Sequence, residues 1–330
     1  GDSLSWFSEV VGRPAFFQVI LYYGILLSLW WLWEHRKDFT SGARFAWLCL
    51  AVMILTFQPP EGWKIVFLDV GQGDGIYVAT EDGKHYLFDG GSTSRSKIGK
   101  NVLVPFLKYE GVRELDCVFL SHPDEDHISG VLEMLEGQTE LGIRVKAVAL
   151  PDIAEGAKGD SYRKLEQAAA VAGCRVLYLS SGMTLQNGEL TIRCVNPVKG
   201  AYIEEANEYS ACFLLEQGSV QVLLTGDITG DSEQQMWQEI QPYLQEESRI
   251  LIWKIAHHGS GYSSTESFLK EVSPKLAVIS CGEGNRYGHP HVETLERLEK
   301  EGIPWVCTKD CGAVLVGVKK RNVQVRTYKK

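Results

Sequence analysis

Leu120-Ser121-His122-Pro123-Asp124-Glu125-Asp126-His127-Ile128-Ser129-Gly130 is the stretch that decides how this chain is read. Four of its side chains are ready cation ligands: His122, Asp124, Asp126 and His127. The apolar run 115–120 before it has the character of a buried strand, and 129–136 after it reads as the first turns of a helix. A strand that empties into a loop dense with His and Asp is a place to hold ions at the edge of a sheet. The loop alone has donors for two cations, with His122 and Asp124 turned to one and Asp126 and His127 to the other. A polar surface turn with chance acids would have the same composition, but the rest of the chain argues against it.

Strand 219–225 ends in Gly226-Asp227, and strand 249–256 runs straight into His257-His258-Gly259-Ser260. Strand 275–280 is followed by Gly284-Asn285-Arg286-Tyr287-Gly288-His289-Pro290. Five of the eight histidines fall in these strand-end loops, a placement that scattered surface or core histidines have no reason to adopt. Around them the pattern is α/β. Strand 64–70 precedes the turn Gly71-Gln72-Gly73-Asp74-Gly75, which lacks the Lys and the following helix of a phosphate-binding loop. Segments 75–80 and 84–89 read as a hairpin about Glu81-Asp82-Gly83. Asp69 and Asp89 close strands, where they either orient ligand histidines from behind or cap turns. Helices are expected at 98–109, 160–172, 231–243, 265–272 and 292–301. Further strands are expected at 146–150, 175–179, 190–195 and 211–216, with three short ones at the end of the chain.

The first sixty residues are different. Residues 14–33 carry no charge and are long enough to span a bilayer as a helix, with Tyr22, Tyr23, Trp30, Trp31 and Trp33 suited to its interfaces. A second apolar run extends over about 43–58, with Arg44 placed to snorkel; a buried or interfacial helix is its other reading. The expected organisation is therefore membrane segments in 1–60 and one soluble domain over 61–330. The cations between the two runs place that loop in the cytoplasm and the domain outside. The chain begins Gly-Asp-Ser, as a piece of something longer would.

A net charge of −9 and a pI of about 5.5 argue against broad, unaided binding of polyanions, although a metal site would supply positive charge locally. Lys97, Lys100, Lys319, Lys320, Arg321, Arg326, Lys329 and Lys330 are candidates for local basic patches. The eight cysteines include no CxxC pair, which argues against a zinc ribbon; Cys307 and Cys311 could pair in an oxidising compartment.

Taken together, F-L-D-V-G-Q-G-D-G (67–75), the 120–130 stretch, L-L-T-G-D-I (223–228), H-H-G-S (257–260) and N-R-Y-G-H-P-H (285–291) resemble the metallo-β-lactamase-like domain of the ComEC family of bacterial DNA-uptake channels. The resemblance covers about residues 63–330. It implies an αββα sandwich with the metal site at one edge of two sheets, preceded by the last one or two transmembrane helices of a multi-pass membrane protein. It implies two divalent ions, Mn or Zn. His122 and Asp124 would hold one, Asp126, His127 and His258 the other, and Asp227 would bridge them. Asp124 stands where many metallo-β-lactamase relatives have His, and Asn207 or Ser210 stands nearest the place of a missing third histidine. Both departures are shared by the resembled family, and they shift preference toward a harder ion such as Mn²⁺.

Two ions roughly 3.5–4 Å apart would activate a water and clamp a phosphoryl group. Asp126 belongs to that catalytic centre, and His257 or His289 is the candidate acid for a departing alkoxide. Asn285, Arg286, Tyr287 and Ser260 are candidate phosphate contacts, and Asp69, Asp89, Asn207 and Ser210 candidate supports behind the ligands. The expected activity is a metal-dependent nuclease that degrades the strand not imported during DNA uptake. Its partners would be single-stranded DNA, the bacterial membrane, the rest of the channel and other competence machinery. Two alternatives are hydrolysis of a cell-wall phosphodiester such as a phosphocholine ester, and a non-catalytic domain that guides DNA to the pore.

Overall fold

The computed structural model describes residues 12–36, 40–57, 62–203, 205–245, 249–319 and 322–329. The chain divides into two compact units. One comprises residues 1–60 with 105–113, and the other 61–104 with 114–330.

The first unit contains the helices Phe16–His35 and Ser41–Thr56. Among the described residues, the former is the one helix long and apolar enough to cross a membrane. Its 20 residues rise about 30 Å, the thickness of the hydrocarbon core, and its Phe17, Trp30 and Trp33 are largely exposed. The second helix covers the run whose readings are a span and a buried or interfacial helix. It has 16 residues, about 24 Å at the α-helical rise, and falls short of that thickness. Gln18 ties the pair together: it is buried and donates to the carbonyls of both Ile54 and Phe57 at 2.7 Å. Those carbonyls end the second helix and have no intrahelical partner, so the amide satisfies groups that lipid could not. Arg44 stacks over Trp33 at 4.5 Å. Lys37 and Asp38, part of the charged connection, lie outside the described residues, as do Lys320, Arg321 and Lys330.

The second unit is the expected sandwich. Its first sheet has eight strands, in the order Asn322–Thr327, Val314–Lys319, Lys64–Phe67, Ile76–Ala79, His85–Phe88, Cys117–Phe119, Ala147–Pro151 and Arg175–Leu179. The second has seven: Trp305–Cys307, Leu276–Ile279, Ile250–Lys254, Val220–Leu224, Cys212–Gln217, Leu190–Asn196 and Thr184–Asn187. Alternation along each strand sends one set of side chains between the sheets. Phe67, Phe88 and Phe119 of the first meet Phe213, Leu215 and Leu224 of the second, and Phe119 and Phe88 each make an edge-on contact with Phe213. The other face of the second sheet is covered by Met236 and Ile240, Phe268, Leu269 and Val272, and Leu298, from three helices. Helices Glu125–Glu136 and Asp160–Val171 bury their apolar stripes beside the first sheet, where the Tyr162 hydroxyl donates to the Pro151 carbonyl at 2.6 Å. With both faces covered, the parallel strands read as unbroken apolar runs.

Three details differ from expectation. Helix Glu125–Glu136 begins four residues before the apolar periodicity does. Asp124 stands at its N-cap, and Glu125 and Asp126 fill its first turn, where acids are favoured by the helix dipole. Asp126 and His127 are therefore held by a helix, not a loop. The expected helix 98–109 opens as a π-turn, Gly99–Leu103. Cys307 lies against Cys281, sulfur to sulfur 3.3 Å, while Cys311 bonds the Cys307 carbonyl; all eight cysteines are free.

The site end of the sandwich is held by backbone contacts that leave no room for side chains. Asp74 N donates to Asp126 O at 3.0 Å, Gly91 N to Asp74 O at 3.0 Å, and Gly90 N to His127 O at 2.7 Å. Gly73 sits at φ 148°, and a Cβ there would collide with the carbonyl oxygens of Asp126 and Gly91. Gly73→Ala is expected to destabilise the domain by about 2–4 kcal/mol through strain and collision, read as a lowered denaturation midpoint. A variant as stable as the wild type would show that this packing is not required.

Candidate metal centre

Strand ends from both sheets bring their polar residues to one place. Strand Cys117–Phe119 delivers Ser121 and His122, and the following helix delivers Asp126 and His127. Strand Val220–Leu224 delivers Asp227, and strand Ile250–Lys254 delivers His258. Ala211 N donates to Ser121 O at 2.7 Å, which stitches the loops of the two sheets together, and Asp227 N donates to Ser210 Oγ at 3.3 Å within the second.

Asp227 Oδ2 is the point of convergence. It lies 3.3 Å from His127 Nε2 and 3.3 Å from His258 Nε2, and 3.9 Å from His257 Nε2. His258 Nε2 is also 3.3 Å from Asp126 Oδ2. Both ligand-type rings are oriented from behind. His127 Nδ1 donates to Asp89 Oδ2 at 2.9 Å, and His258 Nδ1 to the Ser280 carbonyl at 2.9 Å. That leaves each Nε2 as the free donor atom, the usual arrangement behind a metal-ligating histidine. Asp89 is fixed in turn by Ser121, whose N and Oγ each donate to it at 2.8 Å.

His122 and Asp124 form a neighbouring pair, Nε2 to Oδ2 3.6 Å, and the His122 and His127 rings lie 4.1 Å apart. Ser121 and Ser210 hydroxyls flank His122 Nδ1 at 3.0 and 3.3 Å. The Nε2 atoms of His122, His127 and His258 and Oδ1 of Asp227 are buried without a hydrogen-bond partner. Such groups are costly unless something charged completes them, and this set of imidazole nitrogens and carboxylate oxygens fits a divalent cation.

Above them opens a polar cleft of ≈ 130 Å³ lined by Gln72, Asp124, Asp126, Asn207, Asp227, His257, His258, Tyr287 and His289. Tyr287 stacks on His289, ring centres 5.6 Å apart. Asp89, His257 and His258 all have φ between 50° and 54°, a left-handed backbone that costs non-glycine residues about 1–3 kcal/mol and clusters at working sites.

Several expected residues stand elsewhere. Asp69 does not support a histidine; it pairs with Arg95 at 2.8 Å and Lys329 at 3.3 Å and accepts from Gly71 N. Ser260 is buried and its oxygens serve Tyr262 N and Thr294 Oγ1, so it is not free for phosphate. Asn285 uses its whole amide within its own loop, donating to Gly282 O and His289 O and accepting from His289 N; it positions His289. Arg286 is turned to the Tyr287 hydroxyl at 2.6 Å.

Three residues were not foreseen. Asp74 and Lys254 are both 1 % exposed and form an ion pair in the wall behind the histidines. Signals for both existed: Asp74 follows two positive-φ glycines, and Lys254 is a charge in an otherwise apolar strand. Gln72 was likewise missed; it bonds His289 Nδ1 at 3.4 Å.

The electrostatics follow from this crowding. Burial works against the charge of His258, but Asp227 and Asp126 outweigh it and raise its pKa to about 10. His127 is also raised, Asp227 and Asp89 overcoming its burial. Asp227 and Asp126 are held below the usual carboxylate range because the imidazoles overcome the opposing effect of burial. His289 is pushed down to about 4 by burial and by His258 and His257, and His257 is lowered by burial.

With no cation present, protons on His127 and His258 balance the acids. A raised histidine stabilises the fold fully below its unfolded pKa, near 6.5, and ceases to as pH climbs through about 10. A cation on the Nε2 atoms must displace these protons. Mn²⁺ or Zn²⁺ binding at pH 7 is therefore expected to release protons, and affinity to rise about tenfold per pH unit for each proton displaced. Calorimetry in buffers of different ionisation enthalpy checks this; binding without proton release would contradict it.

Residues 68–193 match the metallo-beta-lactamase superfamily. The chain is 30% identical over 336 aligned positions to ComE operon protein 3 of Bacillus subtilis (strain 168), covering 96% of this chain and 41% of that protein. It is 27% identical to Recombination protein 2 of Haemophilus influenzae, over 77% of this chain and 28% of the relative. A solved metallo-beta-lactamase fold protein, YhfI from Bacillus subtilis, aligns with 74% of this chain and 95% of its own at 14% identity and a TM-score of 0.44. The chain thus spans less than half the length of these curated relatives. These matches and the two-sheet fold show a metallo-beta-lactamase domain in a chain that is similar to the ComEC-type competence proteins.

Proposed function

We propose that the domain is a metal-dependent phosphodiesterase acting on single-stranded DNA, which degrades the strand left outside during uptake. The observation that carries this is the convergence of unsatisfied imidazole nitrogens and carboxylates on a cleft of modest size. In this reading Asp126, His127, His258 and Asp227 hold one divalent ion, Mn or Zn, and His122 and Asp124 with Asp227 hold a second. When bound, such ions activate water and neutralise charge on a phosphoryl group.

The chain's own residues set the rest. Asp124, Asp126 and Asp227 line the cleft, so a phosphodiester is repelled from it unless cations are present. Cation binding is thus a condition for substrate binding as well as for hydrolysis. Gln72 and Asn285 fix His289, and Tyr287 stacks on it, forming a wall against which a sugar or base can lie. At ≈ 130 Å³ the cleft is small beside drug-sized pockets of roughly 300–1,000 Å³. It suits one linkage of a single strand.

The domain's place in a multi-pass channel, on the outer side of a bacterial membrane, is part of the same proposal. It is supported by the relatives' names, such as Competence protein ComA of Neisseria gonorrhoeae, and by the apolar helix Phe16–His35. Other competence components are the expected partners.

The test is a cleavage assay on single-stranded DNA and on a small chromogenic diester, with Mn²⁺ or Zn²⁺ and then with chelator. Both substrates are expected to be cut only with metal. Asp227→Ala and His258→Ala are each expected to reduce the rate by at least about 10²-fold. Hydrolysis of the small diester alone would reassign the site to a smaller phosphodiester. No cleavage under any metal, with DNA still bound, would leave a guiding role.

A further inference from the structure

One buried charge has no part in that scheme. Lys254 is the last residue of strand Ile250–Lys254 and is 1 % exposed. Its Nζ lies against Asp74, 3.2 Å from the Gly226 carbonyl and 3.8 Å from Asp227 Oδ1. Burying an ammonium costs several kcal/mol before its partners compensate, and an apolar side chain of similar volume would fill the space without that penalty. The charge, not the packing, is what distinguishes this residue here.

Asp74, His127, Asp227 and His258 each offer a donor atom within 4.8 Å of the others, a spacing that suits a cation. The cluster has two sides. Asp74 stands 3.8 Å from His127 Nδ1 and 3.9 Å from His258 Nδ1, at the rear of both rings. Asp126 and Asp227 Oδ2 stand at their Nε2 atoms, toward the cleft. The Lys254 ammonium is on the rear side, beside the carboxylate that would otherwise be the strongest ligand there.

We infer that Lys254 is a positioning residue: its ammonium fills the rear cation position, confines metal to the Nε2 side, and fixes Asp227 with Oδ1 inward and Oδ2 toward the cleft. This rests on the metal-centre reading above. A divalent ion at the rear would stand within a few ångströms of a fixed positive charge, which repels it strongly in so enclosed a place. Without Lys254, Asp74 and Asp227 Oδ1 become uncompensated buried oxygens and therefore open ligands. With it, Asp74 contributes charge balance and no coordination.

The experiment is metal stoichiometry and affinity, by native mass spectrometry and titration with Mn²⁺ or Zn²⁺, on the full chain in detergent. Lys254→Met is expected to bind one more ion per chain than the wild type. Lys254→Met with Asp74→Asn is expected to lose that extra ion, and Lys254→Arg to match the wild type. Asp74→Asn alone is expected to keep the wild-type count but weaken affinity about 10–100-fold, because the freed ammonium then competes for Asp227. A folded Lys254→Met chain with the wild-type count overturns the inference. Should Lys254→Met not fold, wild-type affinity in Asp74→Asn overturns it equally. A wild-type chain that binds no cation would sink the metal-centre reading and this inference together. A wild-type chain that binds metal while the variants change nothing sinks this inference alone.

Discussion

The carboxylate of Asp227 is where the two sheets' contributions meet, and its charge must be balanced for the fold to close. Oδ2 faces two imidazole nitrogens at 3.3 Å and Oδ1 faces the Lys254 ammonium at 3.8 Å. Asp74, Asp89 and Asp126 stand nearby, each pressed against a histidine or the lysine. Two like charges about 4 Å apart repel by about 4 kcal/mol at an effective dielectric of 20. Acids packed this densely hold together only with positive charge among them. Lys254 supplies a permanent share, and protons on His127 and His258 supply the remainder until a metal takes their place. The same balance that allows the site end to fold makes it fit for a cation.

Geometry at that end costs conformational energy that the sheets repay. Asp89, His257 and His258 adopt left-handed backbone, and Gly73 and Gly91 let the 71–75 turn and the 89–92 loop press onto the start of helix Glu125–Glu136. None of this would persist in an isolated loop. It persists because the Phe88, Phe119 and Phe213 rings and their neighbours fix the strand ends from which these loops depart. Placing ligands on strand ends and on the first turn of a helix, not on free loops, fixes each Nε2 before any ion arrives.

Much of this was legible in the sequence, and the failures have physical causes. Strands such as 175–179 and 190–195 showed themselves because alternating or continuous apolar runs are bounded by turn residues. The start of helix Glu125–Glu136 did not, because its first turn is all acid and histidine and carries no apolar stripe. His122, Asp126, His127, Asp227 and His258 were visible because His and Asp at strand ends are unusual. Asp74 was passed over because the turn containing it was compared with a phosphate-binding loop and rejected, leaving its glycines without a purpose. Their purpose is close backbone approach to Asp126 and Gly91. Lys254 was absorbed into an apolar strand pattern, where a single charge looks like noise. Ser260 and Asn285 were assigned to substrate because donor groups near histidines look available until their hydrogen bonds are traced.

The oxygen-rich surroundings of His122 take on meaning in this electrostatic setting. Asp124 is half exposed at the mouth of the cleft while His122 is buried, with Nδ1 flanked by two serine hydroxyls and Nε2 turned to that carboxylate. Asn207, also at the cleft, brings a neutral amide where an imidazole would add a nitrogen ligand. Oxygen donors favour harder ions and hold borderline ions less tightly. The two halves of the site therefore differ in kind. The Asp126–His127–His258 half has imidazoles locked from behind and, on the proposed reading, would hold its ion tightly. The His122–Asp124 half is open, oxygen-rich and only partly buried, and on the proposed reading would attract a cation most strongly when a phosphate brought further oxygens to share it. On the proposed reading, occupancy of the second half and arrival of a phosphodiester would reinforce one another, and the acidic cleft, which alone would repel a nucleic acid, would admit substrate and metal together.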